Sequence, residues 1–172
     1  LALLTTGGYP QSGMPREFSW IGQGSLLGLQ TPIVVMLVVF ALLYAMLTYF
    51  PVGRYIYGIG GNEEAVRLSG VRVERTKLLV YTLSGMTAAI AGIVLASRLM
   101  SGQPNAGIGF ELDAIAAVVL GGTAIVGGRG SLVGTLIGAL TLGVLNNGLN
   151  LMSVSPYTQK VLKGVIILLA IY

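Results

Sequence analysis

Two groups of polar side chains interrupt an otherwise apolar sequence and could take part in chemistry. The first is a pair of carboxylates two residues apart, Glu111 and Asp113. Such a pair could serve general acid–base catalysis or a proton relay. Both residues stand at the start of an apolar segment, where an acidic side chain is an ordinary helix cap and dipole partner. We therefore interpret the pair as structural.

The second group consists of three amides in an apolar stretch, Asn146, Asn147 and Asn150. Buried amides are costly unless each finds a hydrogen-bond partner. On a helix Asn146 and Asn150 lie one turn apart, and Asn147 lies on a neighbouring face. Amides can bind the hydroxyl groups of a solute such as a sugar, so the group could line a translocation path. Hydrogen bonding between helices, worth about 1 kcal/mol or less per bond, is the alternative.

Several chemistries are excluded by composition. The 172 residues include no Cys and no His, so disulfides, thiol nucleophiles, imidazole bases and His-based zinc sites are not expected. Residues 122–127 have the glycine spacing of a phosphate-binding loop, but Gly128 and Arg129 follow where that loop requires Lys and Ser or Thr. No group of nucleophile, base and orienting residue exists, so we expect neither an enzyme nor a metal site.

Composition instead indicates a membrane protein. Hydrophobic residues make up 54% of the chain, charged residues only 9%, and mean hydropathy is +0.84. A soluble domain carries roughly 25% charged residues. The net charge is +4, but the basic residues are not gathered into a solvent-facing patch, so nucleic-acid binding is not expected.

Three stretches are long and apolar enough to cross a bilayer, which takes roughly 20 residues. They are residues 31–50, 78–97 and 131–151, and a fourth helix begins at residue 157. Small residues recur every four positions in the second span, which favours close helix packing. Gly134 and Gly138 give the third span a GxxxG spacing. Both ends of the chain look cut within or beside helices, so we interpret it as a fragment.

Residues 114–126 form a shorter apolar segment that glycines interrupt. Gly121, Gly122 and Thr123 break it, and a second glycine group ends it at residues 127–130. Short, broken segments predict discontinuous helices, which often line a transport path. Plain helix packing is the alternative for the two glycines. We expect this segment to cross the membrane, which places Arg129 on the cytoplasmic side; if it re-enters instead, the sides reverse.

The distribution of basic residues predicts the orientation. Residues 51–77 contain five of the ten Lys and Arg residues, whereas residues 5–30 contain one. The positive-inside rule therefore places residues 51–77 in the cytoplasm and residues 5–30 outside.

A short helix is predicted inside the cytoplasmic stretch. Asn62 suits the N-cap, Glu63 and Glu64 suit the first turn, and Gly70 suits the C′ position. Ala65 and Leu68 would share one face. A helix this short is unstable alone in water. It must therefore dock on the membrane bundle or on a partner. A solvated connector between spans is the alternative.

The chain resembles the permeases of ribose-type ABC importers over roughly residues 20–172. The motifs that carry the resemblance are Gly53-Arg54-Tyr55-Ile56-Tyr57, Gly60-Gly61-Asn62-Glu63-Glu64-Ala65, Arg67-Leu68-Ser69-Gly70, Glu111-Leu112-Asp113-Ala114, Gly121-Gly122-Thr123, Gly127-Gly128, Val133-Gly134-Thr135, Asn146-Asn147-Gly148 and Val161-Leu162-Lys163. Agreement this long and collinear is highly specific for the family.

The resemblance implies an all-α, polytopic transmembrane bundle in the bacterial inner membrane, with residues 1–172 forming one permease domain. It implies two permease subunits, a separate ATPase subunit that holds ATP and Mg²⁺, and a periplasmic sugar-binding protein, while this chain itself binds no cofactor. The loop within residues 51–77 would dock on the ATPase. Its implied coupling residues are Gly61, Asn62, Glu63, Glu64, Ala65, Arg67, Leu68, Ser69 and Gly70. Candidate path residues are Asn146, Asn147, Asn150, Gly121, Gly122 and Thr123.

The substrate implied is a sugar, ribose first. Permeases for xylose, galactose or branched-chain amino acids share the architecture and stay open as alternatives. A proton- or ion-coupled transporter would need an ionisable residue deep in a span, and residues 31–50, 78–97 and 131–151 contain no Asp, Glu, Lys or Arg. A structural membrane subunit without its own path is the remaining alternative.

Overall fold

Helices dominate the structure, a computed structural model that describes residues 7, 9–26 and 28–171. Residues 5, 6, 8 and 27 of the predicted surface stretch, and Tyr172 of the predicted fourth helix, lie outside the described residues. Within them, three helices are long and apolar enough to cross a membrane, which confirms the all-α, polytopic fold class.

The helices are, in chain order, α1 (Ser19–Gln23), α2 (Thr31–Tyr49), α3 (Pro51–Gly61), α4 (Glu63–Leu68), α5 (Val73–Leu99), α6 (Phe110–Leu120), α7 (Leu132–Leu151) and α8 (Pro156–Ile171). A 3-10 turn, Arg16–Phe18, precedes α1. The strands are β1 (Gln11–Ser12), β2 (Ser25–Leu26), β3 (Leu29–Gln30) and β4 (Ser101–Gly102). The membrane-spanning candidates are α2, α5 and α7, close to the predicted bounds.

The chain divides into two compact units. One contains the described residues up to Gly53 together with Glu74–Ile108, and the other contains Arg54–Val73 with the residues from Gly109 onward. The first unit carries all of α2 and all of α5 except Val73. The second carries most of α3, all of α4 and the last three helices.

In the first unit, the segment before α2 packs on the C-terminal end of α5 and is hydrogen-bonded to it. Ser97 is fully buried and its hydroxyl donates a hydrogen bond to the carbonyl of Phe18. Gln23 Nε2 donates to the Arg98 carbonyl at 3.1 Å, and Gln11 of β1 pairs with Gly102 of β4. A Cβ on Gly22 would lie 2.6 Å from the carbonyl carbon of Ser97, so the backbones touch. The predicted outer stretch and the predicted outer end of α5 therefore lie on the same side.

In the second unit, α6 and α7 form an antiparallel hairpin, and α8 packs on α6. Ala116 and Ala117 of α6 pack on Leu142 of α7, with Leu120 beside them. These small side chains let the two helices approach closely.

Two sequence-based boundaries were wrong. Residues 51–77 are mainly helical rather than a connecting loop, because α3 begins directly at Pro51, a residue suited to the first turn of a helix. The helix of the second span begins at Val73 rather than residue 78, so Arg75 and Lys77 lie in its first turns. Charged residues are readily accommodated where a spanning helix emerges from the bilayer.

Candidate functional site

The short helix α4 forms as its capping residues predict. Asn62 Oδ1 accepts a hydrogen bond from the backbone N–H of Ala65 at 3.0 Å, and both glutamates lie in the first turn. Glu63 also pairs with Arg67 at 3.0 Å along the helix. Gly70 has φ +86°, the left-handed conformation that glycine adopts after a helix.

One face of α4 packs on α3 and the opposite face is exposed. A Cβ on Gly58 of α3 would lie 3.0 Å from Val66 Cγ2, so Val66 points toward α3. Glu64 and Leu68, one turn apart, lie on the opposite side of the helix, and Leu68 is 84% exposed. An exposed leucine beside a carboxylate on a six-residue helix is a surface suited to a partner groove.

The end of α3 contacts the turn between α6 and α7. A Cβ on Gly60 would lie 2.6 Å from the backbone N of Gly128, and one on Gly127 would lie 2.6 Å from the Gly60 carbonyl oxygen. Both elements belong to the second unit. Arg129 therefore lies on the same side as α3 and α4.

The crossing of residues 114–126 stays a prediction. Helix α6 has 11 residues and rises about 16 Å, roughly half of the hydrocarbon thickness. Helix α6 is therefore too short to span a bilayer alone, and it ends at Gly121, where the glycines predict a break.

The predicted glycine break is a tight turn that is closed by its own hydrogen bonds. Gly121 is the C-cap of α6, and a Cβ there would lie 2.5 Å from the carbonyl of Gly134. Gly122 has φ +81°. Thr123 packs on Gly130, whose Cβ would lie 2.9 Å from Thr123 Cγ2. Packing therefore accounts for Gly121 and Thr123, whereas a Cβ on Gly122 would meet no described atom within 4 Å.

The α6–α7 hairpin aligns residues in an antiparallel register. Gly121 lies against Gly134, and Ala117 lies against Gly138. The predicted GxxxG pair on α7 thus supplies the close approach. Extended along both helices, the same register places Asn146 level with Gly109, the N-cap of α6.

The two carboxylates have separate structural partners. Glu111 Oε2 accepts from the backbone N–H of Gly109 at 3.0 Å, which caps α6. Asp113 Oδ1 accepts from Nζ of Lys163 on α8 at 2.6 Å. The structural interpretation of the pair agrees with this geometry. The ion pair itself was not predicted, and its signal was a lysine in the apolar part of the last helix.

The three amides have three different environments. Asn150 Oδ1 accepts from Gln159 Nε2 at 2.9 Å, which joins α7 to α8. Asn147 is exposed. Asn146 Oδ1 is buried, and among the described residues it has no hydrogen-bond partner. Interhelical bonding therefore accounts for Asn150, whereas no hydrogen bond within the described residues accounts for Asn146 Oδ1.

The small-residue face of α5 is open. Ser84, Ala88 and Gly92 are exposed, and a Cβ on Gly92 would meet no described atom within 4 Å. A groove of about 380 Å³ runs from Gly92 and Ala96 to Gln103 and Pro104. The described residues hold no cluster of three His, Cys, Asp or Glu residues that could bind a metal ion.

Bilayer-length helices, a half-length helix and a short exposed helix together define a membrane permease. The family model described as branched-chain amino acid transport system / permease component matches residues 4–171. The chain therefore belongs to this permease family.

Individual relatives are also similar. The chain is 57% identical over 154 residues to the ribose import permease protein RbsC of Escherichia coli (strain K12), covering 90% of this chain and 48% of that protein. Identity to RbsC of Bacillus subtilis (strain 168) is 50% over 173 residues, covering 99% and 54%. Identity to the L-arabinose transport system permease protein AraH of Escherichia coli (strain K12) is 44% over 174 residues, covering 99% and 52%.

The chain thus spans about half the length of the curated relatives it matches. No solved structure matches it.

Proposed function

We propose that this chain forms membrane-spanning helices of the permease subunit of an ATP-driven sugar importer whose substrate is ribose. The observation that carries the proposal is its similarity to ribose import permeases, 57% and 50% identical over 90% and 99% of the chain. The L-arabinose permease is less similar, at 44%, and L-arabinose is the second candidate substrate.

In this proposal α4 is the helix that docks on the ATPase subunit. A helix of six residues needs a docking partner to be stable, and only one of its faces packs on α3. The opposite face offers Leu68 and Glu64 to a groove on the partner. The basic residues around α4 support a cytoplasmic position for it, where ATP is available. The proposed docking segment is Gly61–Gly70 within residues 51–77.

The translocation path in this proposal runs beside the N-terminal end of α6. A half-length helix directs its unpaired backbone N–H groups and the positive end of its dipole into the membrane interior. Asn146 lies level with that end and carries an unpaired acceptor. Together they would offer donors and, once a movement of the helices exposes Asn146 Oδ1, an acceptor to sugar hydroxyls. Asn147, Asn150, Gly121, Gly122 and Thr123 complete the candidate set from the sequence, with Asn146 the strongest member.

The proposed assembly follows from the function. Two permease subunits, an ATPase subunit holding ATP and Mg²⁺, and a periplasmic sugar-binding protein would work together in the bacterial inner membrane. Residues 1–172 would belong to one permease domain, and this chain would bind no cofactor. Closure of the ATPase subunits would move α4, and the helices would relay this movement to an alternating-access path.

The experiment is reconstitution of the intact permease with its ATPase and binding protein in vesicles. Ribose, L-arabinose, xylose, galactose and leucine are offered separately, and ATP hydrolysis and uptake are measured. ATP-dependent uptake of ribose alone supports the proposal. Uptake of another substrate keeps the mechanism and changes the cargo. Uptake driven by a proton gradient without ATP would contradict the proposal and indicate a secondary transporter.

Substitutions on the exposed face of α4 test the docking helix. We expect Glu64→Arg to uncouple ATP hydrolysis from uptake, and Leu68→Asp to reduce retention of the ATPase about tenfold, because a buried charge would replace an apolar contact. Leu29→Asp is the matched control, since Leu29 is 46% exposed and lies in β3, outside α4. Normal coupled transport by Glu64→Arg would remove α4 from the docking surface.

A further inference from the structure

The end of α3 and the turn between α6 and α7 meet in a backbone contact among glycines. Gly60 and Gly61 end α3, and Gly127 and Gly128 form the turn between α6 and α7. A Cβ on Gly60 would lie 2.6 Å from the backbone N of Gly128. A Cβ on Gly128 would lie 2.8 Å from Cα of Gly61. Such distances mean that the two backbones touch with no side chain between them.

The contact depends on glycine for two separate reasons. Gly127 and Gly128 have φ +93° and +76°, which other residues rarely adopt. Gly60 has no such φ, so glycine is required at this position for steric reasons alone. Gly61 is less restricted, because its Cβ would meet only Cα of Gly128, at the ordinary distance of 3.9 Å.

On the α3 side of the glycine contact, the end of α3 is bonded to α4. The backbone N–H of Asn62, the N-cap of α4, donates to the carbonyl of Gly58 at 2.9 Å. Val66 of α4 packs on Gly58 in the same turn of α3. The end of α3 and α4 therefore form one small structural element, which we name the α3–α4 pair.

On the other side of the glycine contact, the turn that carries Gly127 and Gly128 is held to helices α6 and α7. The backbone N–H of Ala124 donates to the Arg129 carbonyl at 2.9 Å, which closes the turn. Gly121 against Gly134 then holds the ends of the turn together. From α6, the ion pair between Asp113 and Lys163 continues to α8. A displacement of the turn is therefore carried to α6, α7 and α8.

We propose that the contact of Gly60 with Gly128 transmits the movement of the α3–α4 pair to the α6–α7 hairpin during transport. This inference rests on the proposed function, in which the ATPase moves α4. Two backbones in direct contact transmit a push with little loss, because no side-chain rotamer lies between them to yield. The far end of the hairpin carries Asn146, so the same movement reaches the proposed path.

The first test compares two alanine substitutions in the reconstituted transporter. Gly60→Ala forces the backbones apart, and we expect uptake to fall about tenfold or more while the ATPase stays bound and still hydrolyses ATP. Gly61→Ala, the same change one residue on, is expected to cause a loss at least about fivefold smaller, because its Cβ has room. Coupled uptake by Gly60→Ala within about twofold of the unmodified transporter would overturn the relay.

A second measurement leaves the glycine contact intact. Single Cys replacements at Tyr55 of α3 and at Val126 beside the turn are spin-labelled in separate samples, since both side chains are exposed. Pulsed electron paramagnetic resonance then gives the distance between the two permease copies with and without ATP. We expect both distances to change in the same nucleotide step. A change at Tyr55 with none at Val126 would overturn the relay, even if Gly60→Ala fails to assemble.

The same data separate this inference from the proposed function. If the unmodified transporter shows no ATP-dependent uptake, or the label at Tyr55 does not respond to ATP, then the proposed function fails. If uptake and the response at Tyr55 are normal but Val126 is unaffected, only the relay fails.

Discussion

Nζ of Lys163 lies 2.6 Å from Oδ1 of Asp113, and this ion pair ties α8 to α6. The side chains are 19% and 33% exposed, so water reaches the pair only partly. The two residues are 50 positions apart in the chain. The last helix is therefore held by a directional charge interaction in addition to apolar packing.

Removing the lysine should loosen α8. We expect Lys163→Met to lower the stability of the permease by about 1.5–3 kcal/mol, because it leaves a half-buried carboxylate without its donor. The measurement is the thermal unfolding midpoint of the detergent-solubilised protein. Lys160→Met on the same helix is the control, since Lys160 is exposed. Equal effects of the two substitutions would show that the pair contributes nothing specific.

Two glycines on α7 should respond in opposite directions to the same substitution. Gly138 touches the Ala117 carbonyl of α6, whereas a Cβ on Gly143 would meet no described atom within 4 Å. We expect Gly138→Ala to destabilise by about 1–3 kcal/mol through overpacking. Gly143→Ala should be neutral or stabilise by up to about 1 kcal/mol through helix propensity. Thermal unfolding measures both, and a stabilised Gly138→Ala would contradict the antiparallel register.

Asn146 and Asn150 should separate transport from stability. Asn150→Leu removes the bond from Gln159, and we expect a loss of about 1 kcal/mol or less in stability and a smaller fall in uptake than Asn146→Leu causes. Asn146→Leu removes an unpaired buried acceptor, so stability should hold or rise while uptake falls. Uptake and unfolding are measured on the same preparations. Normal uptake by Asn146→Leu would take that residue out of the path.

The N-cap residue Asn62 should determine how often α4 unfolds locally. Asn62→Ala removes the acceptor for the Ala65 N–H and should cost the helix about 1 kcal/mol. Hydrogen exchange at the α4 amides should then speed up about fivefold, since 1 kcal/mol is close to that factor. Asn62→Asp keeps the acceptor and should exchange at nearly the original rate. Unchanged exchange in Asn62→Ala would mean that docking, and not the cap, holds α4.

Sequence alone predicted the elements whose signals are local. The long apolar spans, the glycine breaks after α6 and the capped helix at Asn62 each depend on residues within a few positions of one another. Capping chemistry and hydropathy determine such features directly. The start of α5 was missed because charged residues near a helix end lower hydropathy without ending the helix.

Contacts between distant residues could not be predicted in the same way. Lys163 could have paired with any of several carboxylates, and Gly60 gave no sign that it would meet Gly128. Glycine's freedom is visible in sequence, but its neighbour depends on how the helices pack. The candidate path illustrates the same limit, because three similar amides have three different environments.

The fastening of the outer segment to α5 sets an order of events during synthesis. Phe18 and Ser97, whose hydrogen bond joins them, are 79 residues apart in the chain. At 5–20 residues per second, the ribosome needs roughly 4–16 s to add that length. For this interval the outer segment waits without its buried partner, while α2 has already been made. The packing of this segment is therefore completed only after α5 has been made, and a delay in the synthesis or insertion of α5 would leave the segment open to proteolysis.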